Sequence, residues 1–218
     1  MSEAVVEPGI EVVEHFYNAE QQRHAANLGM WIWLATELLL FSGLFLVAII
    51  VRVLYPAAVT AVALHLKFWI GATNTAVLIC SSLTMSGAIE LSRLGWRRPM
   101  RACMYVTAML GVLFLMLKGY EYYRDYAEHM VPFFGWRPYE LSGDRASQLF
   151  VNDYFIITAL HALHLTTGIS VLLGLAWFAR KAEFLRKHQN WVEVFGLYWH
   201  FIDLIWISVF PILYLLNR

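Results

Sequence analysis

The stretch VFGLYWHFIDLIWISVFPILYLL, residues 194–216, determines how the whole chain is interpreted. It is 23 residues long and carries one charged residue, Asp203, with His200 three positions before it. About 18 or more apolar residues are enough to cross the hydrocarbon core of a bilayer. A carboxylate inside that core costs about 2.5–3.5 kcal/mol on insertion scales, so it is expected to have a partner or a use. The stretch therefore predicts a membrane-spanning helix with polar groups built into it.

The composition agrees with an integral membrane protein. Of 218 residues, 60% are hydrophobic and 15% charged, whereas soluble domains are about 45–50% apolar and about 25% charged. The net charge is zero, so no long-range field favours nucleic acid as a partner. Cys80 and Cys103 belong to apolar segments and are interpreted as small apolar residues. No CxxCH motif or paired CxxC motif indicates covalent haem, zinc or an iron–sulfur cluster.

Hydropathy predicts an all-α fold, a polytopic bundle of five transmembrane helices. The third predicted span is the weakest, because its uncharged run is short and is followed by Lys118 and Glu121. We expect Lys118 to extend toward the head groups and to pair with Glu121 at the interface. The predicted spans are residues 28–51, 68–89, 102–121, 154–179 and 194–216.

Arginine and lysine residues predict the orientation. They concentrate in the loops after the second and fourth spans, so the positive-inside rule places the N-terminus in the cytoplasm and the C-terminus outside. Residues 1–27 are then a cytoplasmic N-terminal tail, residues 28–218 the five-helix transmembrane domain, and residues from about 122 to 150 an external loop. The basic residues of the two loops are Arg93, Arg97, Arg98, Arg101, Arg180, Lys181, Arg186 and Lys187.

The last two spans each carry a stripe of polar residues, because positions three, four and seven apart share a helix face. Such stripes must face protein or water rather than lipid. We interpret them as an interhelix polar network that fixes helix packing, in which Asp203 pairs with His200. The stripes are Glu193, His200 and Asp203 on the fifth span, and Thr158, His161, His164 and Gly168 on the fourth; Asn74 of the second span and Glu121 of the third are assigned to the same network.

Two sharper interpretations of these residues stay open. His161 and His200 could ligate a haem from two helices, or His161, His164, His200 and Asp203 could form a metal site.

Glu37 lies about nine residues into the first span, near the midplane. It is either a proton-relay carboxylate or a hydrogen-bonded group that only specifies packing.

Several motifs in order along the chain resemble subunit III of the haem-copper oxidases, in its short five-helix bacterial form. The strongest is YWHFIDLIW, residues 198–206. The others are GMWIWLATELLLF at 29–41, with the single intramembrane Glu37; Asn74-Thr75 followed by SSLT at 81–84; GYEY at 119–122, with Glu121; and HALHL at 161–165 followed by Gly168. Two departures matter: many members have two further spans at the start, and Lys118 stands where a neutral amide is expected.

The resemblance implies an accessory, non-redox subunit of a proton-pumping cytochrome c oxidase in the bacterial inner membrane. It implies direct contact with catalytic subunit I, with subunit II and other oxidase subunits nearby, and with membrane phospholipid, but not with nucleic acid. Haem and copper are expected in the partner subunits, with no cofactor, metal ligand or catalytic residue in this chain. Glu37 matches the family's buried carbodiimide-reactive acid.

Four alternatives to this interpretation stay open. The corresponding subunit of a quinol oxidase, or a homologue associated with nitric oxide reductase, would share most of the motifs. A free-standing b-type cytochrome would use His161 and His200 as haem ligands. A proton-coupled transporter would need an internal repeat or a broken helix near the midplane, and the sequence has neither.

Overall fold

The computed structural model describes residues 19–63, 68–127 and 145–215. Within these ranges the chain is helical and has no strand. Five of the helices, all except α2, are long and apolar enough to cross a membrane, which confirms the predicted all-α bundle. The elements are α1 Ala19–Leu54, α2 Pro56–Ala63, α3 Phe68–Arg93, α4 Arg97–Ala127, α5 Arg145–Phe178, α6 Ala182–Phe210 and a π-helical turn, Pro211–Leu215.

The helices continue beyond the spans predicted from hydropathy. α1 begins at Ala19, inside the predicted tail, α4 reaches Ala127, and α5 begins at Arg145, inside the predicted loop. α4 has 31 residues, so at 1.5 Å per residue it is about 46 Å long, well over the roughly 30 Å of hydrocarbon. Charged residues end the apolar run on which the predicted spans were based. They do not end the helix itself, which can continue into water. The remaining parts of the predicted tail and loop, residues 1–18 and 128–144, lie outside the described residues.

The short helix α2 was not predicted, because the sequence suggested a simple loop between the first two spans. Pro56 is its first residue, a position where the missing N–H costs nothing and the fixed φ favours a helix. Val59 and Val62 are buried, and α2 packs against α5 and α1. The segment that follows the first span therefore packs on the bundle through α2.

α6 is the central helix of the bundle and packs against α1, α3 and α5. α3 packs against α4, α4 against α5, and α5 against α1. α3 and α4 are joined by a tight link in which Gly95 has a φ of 73°, a left-handed conformation that favours glycine.

Trp199 on α6 sets how closely the helices approach. Its side chain is fully buried, and its indole N–H donates to Ser81 Oγ on α3 at 3.1 Å. A Cβ added to Gly111 on α4 or Gly168 on α5 would lie 3.3 Å from the Trp199 ring. Glycine at these two positions lets α4 and α5 close on the indole, so α3, α4, α5 and α6 share one compact centre.

Candidate functional site

Glu37 on α1 and His164 on α5 form a pair at membrane depth. Glu37 Oε2 lies 3.1 Å from His164 Nε2, and the two side chains are 16% and 12% exposed. His164 Nδ1 lies 2.8 Å from the Leu160 carbonyl oxygen. A carbonyl can only accept, so Nδ1 carries a hydrogen and Nε2 is left to face the acid. The contact then needs one proton, either on Glu37 donating to Nε2 or on Nε2 donating to the carboxylate.

Aromatic side chains enclose this pair. Phe41 stands edge-on to the His164 ring at 5.6 Å, and Trp33 packs against Tyr198 at 5.2 Å. The Tyr198 hydroxyl donates to the His164 carbonyl oxygen at 2.8 Å, so α6 also fixes the helical turn that carries the imidazole. The arrangement holds one proton between an acid and a base inside an apolar wall. It gives Glu37 a partner, which is compatible with both interpretations of that residue.

Lys118 does not extend to the head groups, so that expectation was wrong. Its ammonium is buried, 2.9 Å from Glu121 Oε2 and 3.0 Å from the Tyr154 hydroxyl. The same hydroxyl donates to Glu121 Oε1 at 3.0 Å. The Tyr154 and Trp206 rings lie 4.9 and 5.3 Å from the ammonium, within the range of cation–π attraction. The predicted pairing with Glu121 is present, but it lies in the bundle interior. The Tyr154 hydroxyl, which bonds to both members of the pair, joins α4 to α5 there.

His200 and Asp203 do not pair, contrary to the sequence-based interpretation. His200 Nδ1 lies 2.8 Å from Ser82 Oγ, and Nε2 lies 3.3 Å from Ser86 Oγ. Asp203 is buried, and neither carboxylate oxygen has a well-formed hydrogen bond with any described residue, although Ser82 is close enough to affect it. The two serines stand one turn apart on α3 and face α6, so His200 is directed across the helix interface rather than along its own helix.

Glu193 lies at the arginine-rich end of the bundle, away from the other members of its predicted stripe. Its Oε1 accepts from Arg93 Nε of α3 at 2.9 Å. Its Oε2 lies 3.8 Å from Arg23 of α1. This carboxylate therefore joins α1, α3 and α6 at a partly exposed position. The predicted network is thus divided into four separate contacts, at Glu193, at His200, at His164 with Glu37, and at Glu121 with Lys118 and Tyr154.

The two histidines considered as haem ligands lie in different helix interfaces. His161 packs against the Phe114 ring of α4 and the Trp206 ring of α6, with centroids 5.5 and 5.0 Å away. His200 is bonded to the serines of α3. Across residues 19–63, 68–127 and 145–215, no three His, Cys, Asp or Glu side chains converge as metal ligands would.

Asn74, the remaining predicted member of the polar network, is fully buried on α3. Its side-chain amide has no hydrogen-bond partner within the described ranges. Its neighbour Thr75 accepts the Trp206 indole N–H at 3.2 Å. Asn74 is therefore in the core as expected, but no described contact gives it a role in joining helices.

Sequence reasoning missed the small hydroxyl groups and the tyrosines of the site. Ser82 and Ser86 bind His200. Thr84 and Thr107 join α3 to α4 through a hydroxyl contact of 2.7 Å, and Tyr154 completes the Lys118 cluster. The spacing of four between the serines was a usable signal, because it places both on one face of the second predicted span, which has no charged residue.

The sequence matches the family described as Cytochrome c oxidase subunit III over residues 12–217. This chain belongs to the cytochrome c oxidase subunit III family. It is 30% identical over 195 residues to the Cytochrome c oxidase subunit 3 of Thermostichus vulcanus, covering 88% of this chain and 87% of that protein. It is 26% identical over 214 residues to the Probable cytochrome c oxidase subunit 3 of Nocardia farcinica, covering 98% of each. The resemblance found in the motifs is confirmed, and the chain is a multi-pass membrane subunit of an oxidase complex.

Proposed function

We propose that the chain is an accessory, non-redox subunit of a proton-pumping haem-copper cytochrome c oxidase. In this role it stabilises catalytic subunit I and supports its proton uptake during aerobic respiration. The observation that carries the proposal is the family match over residues 12–217. The haem and copper of the complex then belong to partner subunits, with subunit I in direct contact and subunit II in the same assembly.

The Glu37–His164 pair supports a role in proton handling. An acid and an imidazole that share one proton carry no net charge as a pair, and the proton can pass from one to the other without changing that net charge in hydrocarbon. The pair is close to the surface of the isolated chain, since both side chains keep some exposure. A neighbouring subunit packed over α1 would close the pair off from lipid.

The outer face of α1 supports a role in assembly. Large apolar side chains along its length are exposed, including Leu39 at 74% and Val53 at 72%. Only 22% of the most apolar part of α1 is buried inside the chain, whereas 50% of the most apolar part of α6 is buried. α1 therefore offers its surface to lipid or to a neighbouring subunit, and we propose that subunit I covers part of it.

A bound phospholipid is a further part of the proposal. Arg101 of α4 and Arg180, which follows α5, both act electrostatically on the Tyr105 hydroxyl. The Arg180 guanidinium lies 3.9 Å above the exposed Trp177 ring. Guanidinium groups beside an exposed tryptophan at a helix end suit a lipid phosphate at the membrane interface. The same basic end would lie in the cytoplasm, with the chain in the bacterial inner membrane.

Co-purification tests the assignment. The chain, tagged and purified from its own membrane, is expected to bring oxidase subunits I and II and a haem spectrum with it. The chain separated from those companions is expected to carry no iron or copper. Iron or copper bound to the separated chain would overturn the accessory role and favour the b-type cytochrome.

Two activity measurements refine the proposal. Glu37→Gln is expected to leave assembly intact and to change the oxygen consumption rate less than about tenfold, because an accessory acid is not a required step. Complete loss of turnover in a fully assembled complex would contradict this. The same preparation, supplied in turn with reduced cytochrome c and with a quinol, identifies the electron donor. Oxidation of quinol alone would favour the quinol oxidase alternative.

A further inference from the structure

His161 is a deeply buried side chain of α5 whose two ring nitrogens have no hydrogen-bond partner among the described residues. It is 1% exposed. Its ring neighbours are Phe114 and Trp206. The Trp206 N–H is already donated to Thr75, so it does not serve the imidazole.

This arrangement is costly unless something else bonds to the imidazole. A neutral imidazole has one N–H donor and one bare nitrogen acceptor. Burying an unsatisfied polar group costs about 1–3 kcal/mol, and native proteins rarely leave one. An aromatic face can accept the N–H weakly, but ring carbons give the bare nitrogen no comparable donor. At least one nitrogen therefore needs a small polar ligand.

His161 is also close to two sets of ionisable groups. The Trp206 ring lies 5.0 Å from its imidazole and 5.3 Å from the Lys118 ammonium, and His164 is three residues further along the same helix. Lys118 belongs to the cluster with Glu121 and Tyr154, and His164 belongs to the pair with Glu37. Within the described ranges, no hydrogen bond from His161 reaches either set.

We propose that the His161 imidazole anchors an internal water site between these two sets. At least one ordered water bonds to a ring nitrogen, and water extends the hydrogen bonding toward the Lys118 cluster on one side and the Glu37–His164 pair on the other. Buried waters with about three polar partners are ordinary components of protein interiors. The hydrogen bonds of the site connect α1 to α5 and α5 to α4. The proposal is the same for a cytochrome c oxidase and for a quinol oxidase.

A density map of the intact complex, at a resolution that shows ordered water, tests the site directly. The expected result is water density about 2.7–3.2 Å from Nδ1 or Nε2 of His161. The proposal is overturned if only carbon atoms surround both nitrogens, or if a protein group from outside the described residues bonds to them.

Two substitutions give an independent test through the sign of a stability change. His161→Phe is expected to lower the thermal midpoint of the complex by about 2 °C or more, because it removes the anchor of a bound water. If the site is dry, phenylalanine removes an unsatisfied polar group from an aromatic pocket and the midpoint rises, which contradicts the proposal.

His161→Gln separates loss of water from a simple misfit of the phenylalanine ring. Glutamine keeps a donor and an acceptor, so it is expected to recover at least half of the loss and to retain the water density. Equal losses in the two variants would count against the water site. If the phenylalanine variant does not assemble, the wild-type map and the glutamine variant decide the question.

Discussion

At the arginine-rich end of the bundle, Arg93 Nε lies 2.9 Å from Glu193 Oε1, and in the interior Lys118 Nζ lies 2.9 Å from Glu121 Oε2. The separations are equal, but the surroundings differ. The Arg93 and Glu193 side chains are 56% and 20% exposed, whereas both interior side chains are 3% exposed. Bulk solvent screens the first pair and does not reach the second, so the two pairs separate the effect of burial from the effect of distance.

The comparison teaches that a short contact does not by itself measure stabilisation. Exposed ion pairs contribute about 0–1 kcal/mol, because water already solvates each charge and salt screens the attraction. A buried pair gains a stronger attraction but loses two hydration shells, so the pair as a whole is close to neutral. Its members nevertheless depend on each other strongly, because either charge left alone would be buried without compensation.

The largest effect is expected from Glu121→Gln. It leaves the Lys118 ammonium in the interior without its anion, at a cost of about 3–5 kcal/mol. The thermal midpoint and yield of the purified complex measure the loss. The double variant Lys118→Met, Glu121→Leu is the matched control and is expected to recover most of the stability. A double variant as unstable as the single one would contradict the charge-compensation argument.

Tyr154→Phe is expected to have the next largest effect. The hydroxyl bonds to both members of the interior pair, and hydrogen bonds to charged groups contribute about 1.5–3 kcal/mol each. Loss of the hydroxyl should therefore lower the thermal midpoint while the ion pair itself stays in place. Phe substitution of the exposed Tyr123 is the control and is expected to leave the midpoint unchanged. Equal effects at the two tyrosines would show that the contacts of Tyr154 contribute little.

Asp203→Asn tests a second carboxylate that is as deeply buried as Glu121 but differs from it in its charged neighbours. Asp203 and Glu121 are both 2% exposed, but no described cation lies within salt-bridge distance of Asp203. The amide leaves no lone buried charge behind, so the expected change is about 1 kcal/mol or less. The same thermal measurement used for Glu121→Gln checks it. A loss as large as that of Glu121→Gln would mean that Asp203 has a cationic partner in the assembled complex.

The smallest effect is expected from Glu193→Gln. The exposed contact contributes less than about 1 kcal/mol, and the difference from wild type should shrink further as salt is raised. Thermal midpoints measured at low and high ionic strength check both statements. A salt-independent loss of several degrees would place Glu193 in a buried interface with a partner subunit.

The sequence was sufficient for the fold, because apolar runs long enough to cross a bilayer admit few structures other than helices. It was also sufficient to select Glu37, His161, His164 and Asp203 as interior polar groups. It could not assign their partners, since the choice between Asp203 and the α3 serines for His200 depends on how α3 and α6 are rotated against each other. The depth of Lys118 was predicted wrongly for a related reason. A charged residue near the end of an apolar run shows where the hydropathy of the sequence falls, but it does not show how deeply its side chain is buried.

The i, i+3 spacing of Lys118 and Glu121 has a consequence for biogenesis. α4 precedes α5 along the chain, so Tyr154 is not yet packed beside the pair when this segment enters the bilayer. Because both charges lie on one turn of the same helix, they can neutralise each other without help from any later part of the chain. The nascent segment can therefore enter the bilayer as a nearly uncharged unit, and the tyrosine joins a salt bridge that is already formed.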